Sequence, residues 1–304
     1  MKKNKLSIGL ILLSVAIVCT YCTKEESSLV PEGELLMLKK AKTSNYIPGT
    51  DITEQLRSDL ESGLSVTLPA GHFYLSEGVW TDGYTGGTVK GSGRDLTIIE
   101  TAEGFLPPDD PYLNGRVSAG ILTFQNPVGD ITIKAMSFLV QGEHPAVGHI
   151  YPFGGYYSTN IENVILVAGT GASLECKDLF IKGEYVGDIE GAYLGYNISF
   201  PIVGTGFMCS GPFNKISVKD CEIDGCGGSA MGIWTGRTAE FKDNKITNAG
   251  MGLWLIDAIE AITIKDCHFE NTSLVILQQN IADDCLYCFK DNTLDGQAME
   301  DDCQ

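Results

Sequence analysis

The chain has 304 residues, of which 43% are hydrophobic and 20% charged, and its formal net charge is -18. So much apolar side chain excludes a disordered protein and suffices for a sizeable core, in one elongated domain or at most two. The excess of acid excludes nucleic acid and other polyanions as partners unless a cation or a local basic patch intervenes, and it keeps an extracellular protein soluble.

Lys2, Lys3 and Lys5 lead into an apolar run from Leu6 to Val18, the pattern of an export signal and too short to favour a spanning helix. Behind it stand Cys19-Thr20-Tyr21-Cys22 and the stretch Thr23 to Ser28, with Glu25 and Glu26. This segment resembles a bacterial lipoprotein signal, and the acidic stretch resembles the surface-export signals of some Gram-negative lipoproteins. The resemblance implies residues 1–22 as signal peptide and lipidation site, with Cys22 as the diacylated first mature residue. It also implies a tether over 23–49 and a location at the outer membrane or cell surface, held by the lipid and by no spanning helix. Simple secretion is the alternative. Loss of residues 1–21 removes three Lys and no acid, so the formal charge moves from -18 to -21.

Asp51 with Glu54 forms a capping-box-like start, Ile52, Leu56 and Leu60 make one apolar stripe, and Gly63 ends it, which predicts a short helix. Strands are expected over Leu68 to Leu75 and Thr97 to Ile99. A long loop is expected from Glu100 to Ser118, which holds Pro107, Pro108 and Pro111.

Beyond this the chain repeats. A lysine closes each of the strand-like segments ITIK, LECK, ISVK, AEFK, ITIK and YCFK, at Lys134, Lys177, Lys219, Lys242, Lys265 and Lys290, with spacings of 43, 42, 23, 23 and 25. Two spacings are doubled, so the unit is about 22 residues, within the range of repeat architectures. One residue before each Lys stand Ile133, Cys176, Val218, Phe241, Ile264 and Phe289; four after it stand Phe138, Ile181, Ile223, Ile246, Phe269 and Leu294. These columns are apolar with polar residues between them at the period of a strand. A further strand is expected in each repeat where Gly120, Gly206, Gly232 and Gly252 open the segments GILT, GFMC, GIWT and GLWL. Each Gly is expected at a sharp corner, the next residue pointing in and the one after it out. By that reading Met208, Trp234 and Trp254 fall in one outward column, and three extra residues bulge around Gly227 to Ser229.

With Leu68-Pro69-Ala70-Gly71-His72-Phe73-Tyr74-Leu75, Gly86-Gly87-Thr88-Val89-Lys90-Gly91-Ser92-Gly93 and Thr97-Ile98-Ile99 as its first rungs, residues 50–295 resemble the right-handed parallel β-helix superfamily of pectin lyase-like proteins. The resemblance implies an all-β fold over 50–304, a single solenoid of about nine rungs whose open end is covered by the short N-terminal helix. It says almost nothing of activity.

Some regularities are read as structural. The acids that follow the repeated Lys (Asp178, Asp220, Asp243, Asp266 and Asp291) make an alternating charged, solvated face. The column Met136, Leu179, Cys221, Asn244, Cys267 and Asn292 lies at a turn, where buried Asn can satisfy backbone groups. Cys221 and Cys267 are read as small buried hydrophobes, and a disulfide among Cys285, Cys288 and Cys303 is expected to cap the C-terminal end.

In the resembled superfamily the ligand groove follows the outward face of the strand that holds Trp234 and Trp254. Indole faces along such a groove are platforms for sugar rings, so Trp234, Trp254, Met208 and Tyr193 are the expected substrate-binding residues. The same side is expected to carry Glu143 to Tyr151, Asp188 to Tyr193, Arg237 and Asp257. Candidate catalytic residues are Asp188, Glu190 or Asp257 as base or metal ligand, with His149 or Arg237 as partner. No intact polygalacturonase or pectate lyase motif is present, and no HExxH, Walker loop or nucleophile elbow. The expected function is binding of an extracellular glycan by a monomer, with cleavage as a polysaccharide lyase or glycoside hydrolase in view. Ca²⁺ is the expected cation if carboxylates must bridge to a polyuronate, and no other cofactor is expected. The alternative is a non-catalytic envelope or adhesion lipoprotein that uses the stack as a rigid scaffold.

Overall fold

Alternation builds the elements. In Ala261–Lys265 the side chains of Ile262 and Ile264 are fully buried, while Ala261, Thr263 and Lys265 between them are half-buried on the opposite side. A computed structural model describes residues 45–106, 120–140, 147–150, 156–159, 161–183, 191–193, 196–198, 203–257, 260–281 and 283–303. Among these the fold is all-β, with strands and one helix, Thr53–Glu61. The export signal, Cys22 and most of the tether lie outside the described residues.

Among the described residues eighteen strands join one curled sheet. Its pairings are parallel except at the C-terminal edge, where Leu286–Lys290 meets Asp302–Cys303 and Thr293–Leu294 meets Gln297–Ala298, both antiparallel. The repeated lysine marks the register, since Lys90, Lys134, Lys177, Lys219, Lys242, Lys265 and Lys290 pair in succession. Lys90 joins the column expected from Lys134 onward. Both apolar columns hold as well: Ile133, Cys176, Val218, Phe241, Ile264 and Phe289 pair in order and are at most 5% exposed. Phe138, Ile181, Ile223, Ile246, Phe269 and Leu294 pair likewise. Each fully buried side chain of this size contributes about 1.5–3 kcal/mol of transfer free energy, so these columns stabilise the fold together with the other buried columns of the core.

Each pass of chain bends at corners where one residue adopts a left-handed backbone. The residue after the repeated Lys is one: Asp178, Asp220, Asp243, Asp266 and Asp291 have φ between 52° and 55°. Asp and Asn tolerate this region because a short polar side chain bonds to nearby backbone, so these aspartates are turn residues as well as a charged face. The next corner uses Gly225, Asn248, Asn271 and Asp295, at φ 89°, 54°, 48° and 48°. Gly206, Gly232 and Gly252 were expected at corners and lie instead inside strands, outside the left-handed region. Close approach explains Gly252, where a Cβ would come within 2.6 Å of both the Phe269 ring and the Val275 carbonyl oxygen.

At the N-terminal end the predicted helix is present, and Ile52, Leu56 and Leu60 are at most 1% exposed. Its start differs from a capping box. The Asp51 carboxylate accepts the Thr53 N–H at 2.9 Å, and Glu54 pairs with Arg57 instead of reaching back. The core begins before the expected domain start, because Tyr46 is 4% exposed and donates to Asp59 at 2.8 Å. The loop expected from Glu100 starts later. Strand Thr97–Leu106 continues because Ile99 and Phe105 keep their side chains in the core at 0% exposure. Residues 107–119 lie outside the described set.

Candidate functional site

The third strand of each pass, the segment after the second corner that holds Trp254 beyond Asn248, is where ligand was expected. Within Lys245–Ile256, Met251, Leu253 and Leu255 are 2%, 1% and 0% exposed, so the half-buried Trp254 and Ile256 occupy the outward side. Pairing places Trp254 in a register column of Trp80, Thr123, Leu166, Met208, Gly232, Trp254 and Leu277, in which Trp80, Trp254 and Leu277 are half-buried and Thr123 is 2% exposed. A second column, two residues further along each strand, runs Asp82, Gln125, Ala168, Ser210, Trp234, Ile256 and Gln279.

Trp234 and Trp254 therefore do not share a column. The register partner of Trp254 is Gly232, and Trp234 pairs with Ser210 and Ile256. The matching of Gly232-Ile233-Trp234 with Gly252-Leu253-Trp254 presumed three extra residues around Gly227 to Ser229. The structure absorbs one, as Cys226 pairs with Ala249 and Ser229 with Met251. Trp234 thus sits diagonally from Trp254, with Cα atoms about 8 Å apart from strand geometry. Met208 does share the column of Trp254, one pass beyond Gly232. The side chains of Leu166, Met208, Ser210 and Trp234 are outside the described set.

The Trp254 Nε1–H donates to Gln279 Oε1 in the neighbouring column at 3.3 Å, which orients the indole across the two columns. Trp80, which heads the same column, was missed by sequence reasoning. Its signal was present, since Gly78-Val79-Trp80 has the form of the two later Gly-x-Trp triplets. Trp80 is half-buried, and five pairing steps separate it from Trp254, about 24 Å.

The candidate polar groups fall at two ends of this face. Arg237 and Asp257 follow the third strands of neighbouring passes. They do not pair with each other: Arg237 Nε donates to Glu260 Oε1 at 3.2 Å, and Asp257 Oδ1 accepts from Asn280 Nδ2 at 3.1 Å. Asp257 has φ 57°, so it also serves as a turn residue. The expected use of Arg237 as partner of Asp257 is not made here, because Glu260 is the carboxylate in register with Arg237.

His149 and Tyr193 sit at the other end, where the third strands begin. His149 lies on the antiparallel hairpin Val147–Ile150 with Tyr156–Thr159, opposite Tyr157. Tyr193 lies on the hairpin Gly191–Tyr193 with Tyr196–Ile198, opposite Tyr196. Both hairpins are inserted at one corner, since each leaves after the paired Val140 and Gly183 and rejoins at the paired Ile161 and Val203. Strand Tyr156–Thr159 adjoins strand Gly191–Tyr193, which brings the two insertions together. Their side chains, and all of Asp188 and Glu190, are outside the described set. From the level of Val203 and Ala249 to Asp257 is eight residues of strand, about 26 Å. The hairpins and the Arg237 corner thus join the face at opposite ends.

Among the described residues no group of three or more His, Cys, Asp or Glu is placed to hold a metal ion. A depression of about 410 Å³ lies away from the tryptophan face, lined by Lys245, His268, Phe269, Glu270, Thr293, Asp295 and Gly296. There the His268 Nδ1 hydrogen-bonds with Thr293 Oγ1 at 2.9 Å on an exposed surface. Buried Cys209, Cys221 and Cys226 have thiols pushed up to about 12 by burial, so they are neutral packing groups and not nucleophiles. Among the described residues no helix is long and apolar enough to cross a membrane. No family model, no curated protein and no solved structure matches this chain.

Proposed function

We propose that the chain is a right-handed parallel β-helix of the pectin lyase-like class, lipid-anchored through Cys22 at the cell surface, and that it binds extracellular glycan along the outward columns of its third strands. The observation that carries this reading is the outward, half-buried Trp254 in one pairing column with Trp80, about 24 Å away. An indole held by Gln279 offers an apolar face on which the C–H face of a sugar ring stacks, and the adjoining column supplies the exposed Asp82 and half-buried Gln125 for hydroxyl groups. The regular step between passes suits a polymer better than a compact ligand.

Binding is favoured over cleavage by the partners of the described polar groups, since Arg237 and Asp257 are held by Glu260 and Asn280. A lyase or hydrolase would draw its acid or base from Asp188, Glu190 and His149 in the inserted segments, with Ca²⁺ as bridge to a uronate. The test is a screen of the purified chain against a polysaccharide panel, with and without Ca²⁺, following retention, new reducing ends and unsaturated products. Retention that is lost in Trp254→Ala supports the reading. No retention of any polysaccharide under either condition sinks it in favour of a rigid scaffold.

A further inference from the structure

The chain closes its C-terminal end unevenly. The last strand of the first face, Leu286–Lys290, is covered by Asp302–Cys303, and this cover is fastened by the Cys288–Cys303 disulfide. On the second face, Phe269 is followed by Leu294, which is covered in turn by Gln297. On the third face, strand His268–Gln279 pairs through Thr272 to Gln279 with the preceding pass only, and among the described residues no strand pairs with its other edge.

The edge is uncharged over Thr272-Ser273-Leu274-Val275-Ile276-Leu277-Gln278-Gln279, with an apolar centre from Leu274 to Leu277. Its side chains are incompletely covered. Leu274 and Ile276 are half-buried, whereas their partners one pass earlier, Met251 and Leu253, are 2% and 1% exposed. Exposed edges of this composition invite another strand, and proteins ordinarily break them with charge, proline or a bulge. None of these interrupts residues 272–279, although Asp302–Cys303 and Gln297–Ala298 cover the other two edges.

We infer that Thr272–Gln279 is a docking edge for an extended segment of another protein, an alternating apolar strand with basic flanks. The strand form follows from the row of edge backbone groups that no strand pairs among the described residues, which only an extended backbone can match along its length. The basic flanks follow from charge. Glu270 stands before the edge and Asp283 and Asp284 stand after it, all exposed, and the exposed Asp295 is bound to the Asn271 N–H at 2.9 Å. A second copy of this acidic chain brings the same charges to the same place, which disfavours self-pairing.

The test uses the purified full chain and three twelve-residue probes with one alternating Val/Thr centre: one flanked by paired Lys, one by paired Glu, and one Lys-flanked with proline at alternate central positions. Amide exchange of residues 272–279 and probe anisotropy are read together. The Lys-flanked probe is expected to slow exchange at alternate amides of the edge at least tenfold. Its binding should be at least tenfold tighter than that of the Glu-flanked probe, and the proline probe should not bind. In Asp283→Asn with Asp284→Asn, both exposed, binding of the Lys-flanked probe is expected to weaken severalfold with the fold intact. Unchanged exchange at 272–279 overturns the inference, as does equal binding of the Lys and Glu probes. Protection that grows with the concentration of the chain alone also overturns it, by making a second copy the occupant.

Discussion

The side-chain oxygen of Asn244 accepts the backbone N–H of Cys221 at 3.0 Å, from one pass of chain to the next. Its amide nitrogen donates to the Val218 carbonyl at 2.9 Å, and Asn244 is 0% exposed. Asn292 repeats the arrangement, accepting from the Cys267 N–H at 2.8 Å and donating to the Ile264 carbonyl at 3.0 Å. Each Asn thus satisfies a donor and an acceptor that a bend leaves without ladder partners.

Asn244→Ala is therefore expected to lower stability by about 2–4 kcal/mol, since two backbone groups lose their partners in a buried site. Equilibrium denaturation measures it. Asn244→Asp should be worse than neutral Asn at pH 7, because a buried carboxylate cannot donate to the Val218 carbonyl. A loss below about 0.5 kcal/mol in Asn244→Ala would show that water replaces the amide and that this ladder is not structural.

Trp254→Ala is expected to weaken glycan retention by at least about tenfold, the worth of one lost stacking platform near 1.4 kcal/mol. Trp80→Ala separates long from short ligands. Its effect should appear for polymers that span the column and vanish for short oligomers, as read by affinity electrophoresis. Equal effects on both lengths would contradict a continuous binding column.

Cys288→Ser with Cys303→Ser is expected to cost up to about 3 kcal/mol, the chain-entropy figure for a loop of about 15 residues. Amide exchange should rise at Leu286–Lys290 ahead of the rest, because its outer cover is Asp302–Cys303. Denaturant midpoints unchanged by the double substitution would assign the disulfide no role in closing that end.

Alkaline pH should destabilise the fold through its thiols. Burial raises Cys209, Cys221 and Cys226 to about 12, whereas an unfolded thiol ionises near about 8.5. The unfolded chain then binds fewer protons than the folded one, so the contribution is full below the unfolded pKa and is lost as pH rises toward 12. In the native state these thiols should resist iodoacetamide at pH 8, as counted by mass spectrometry. Ready alkylation of any of them would contradict their burial.

At the acid end, partial burial alone would raise Asp51, yet hydrogen bonds from Ser76 and Thr53 outweigh it and lower the carboxyl. The sign is opposite to that of the thiols. Its contribution is present above the unfolded value of about 3.9 and is lost as pH falls through the lower folded value. Asp51→Asn should flatten the acid limb of the stability curve between pH 5 and the folded value, and an unchanged limb would assign that limb to other carboxylates.

Much of this was legible in the residues themselves. The lysine column, the apolar columns, the helix over Thr53–Glu61 and the satisfying role of Asn244 all follow from local chemistry, since a strand alternates faces whatever it packs against. The glycines misled because Gly-x-Trp looks the same whether its Gly turns a corner or admits the Phe269 ring. His149 and Tyr193 were grouped with Arg237 and Asp257 by position along the repeat, although hairpins and corner join the face at opposite ends.

What the sequence determined alone is the period of the chain and the side chains that recur at it, because both depend on neighbours one or two residues away. What tertiary structure decided is which residue of one pass lies beside which of the next: Trp254 beside Gly232, Arg237 beside Glu260. For Trp254 the physical reason is the bulge between Cys226 and Ser229, where ladder hydrogen bonds on either side decide how many residues are absorbed. A shift of one residue there re-aims the side chains from Ser229 to Trp234 against their neighbours, until the earlier offset returns where Thr238 pairs with Ala261, and nothing within the bulge itself records it.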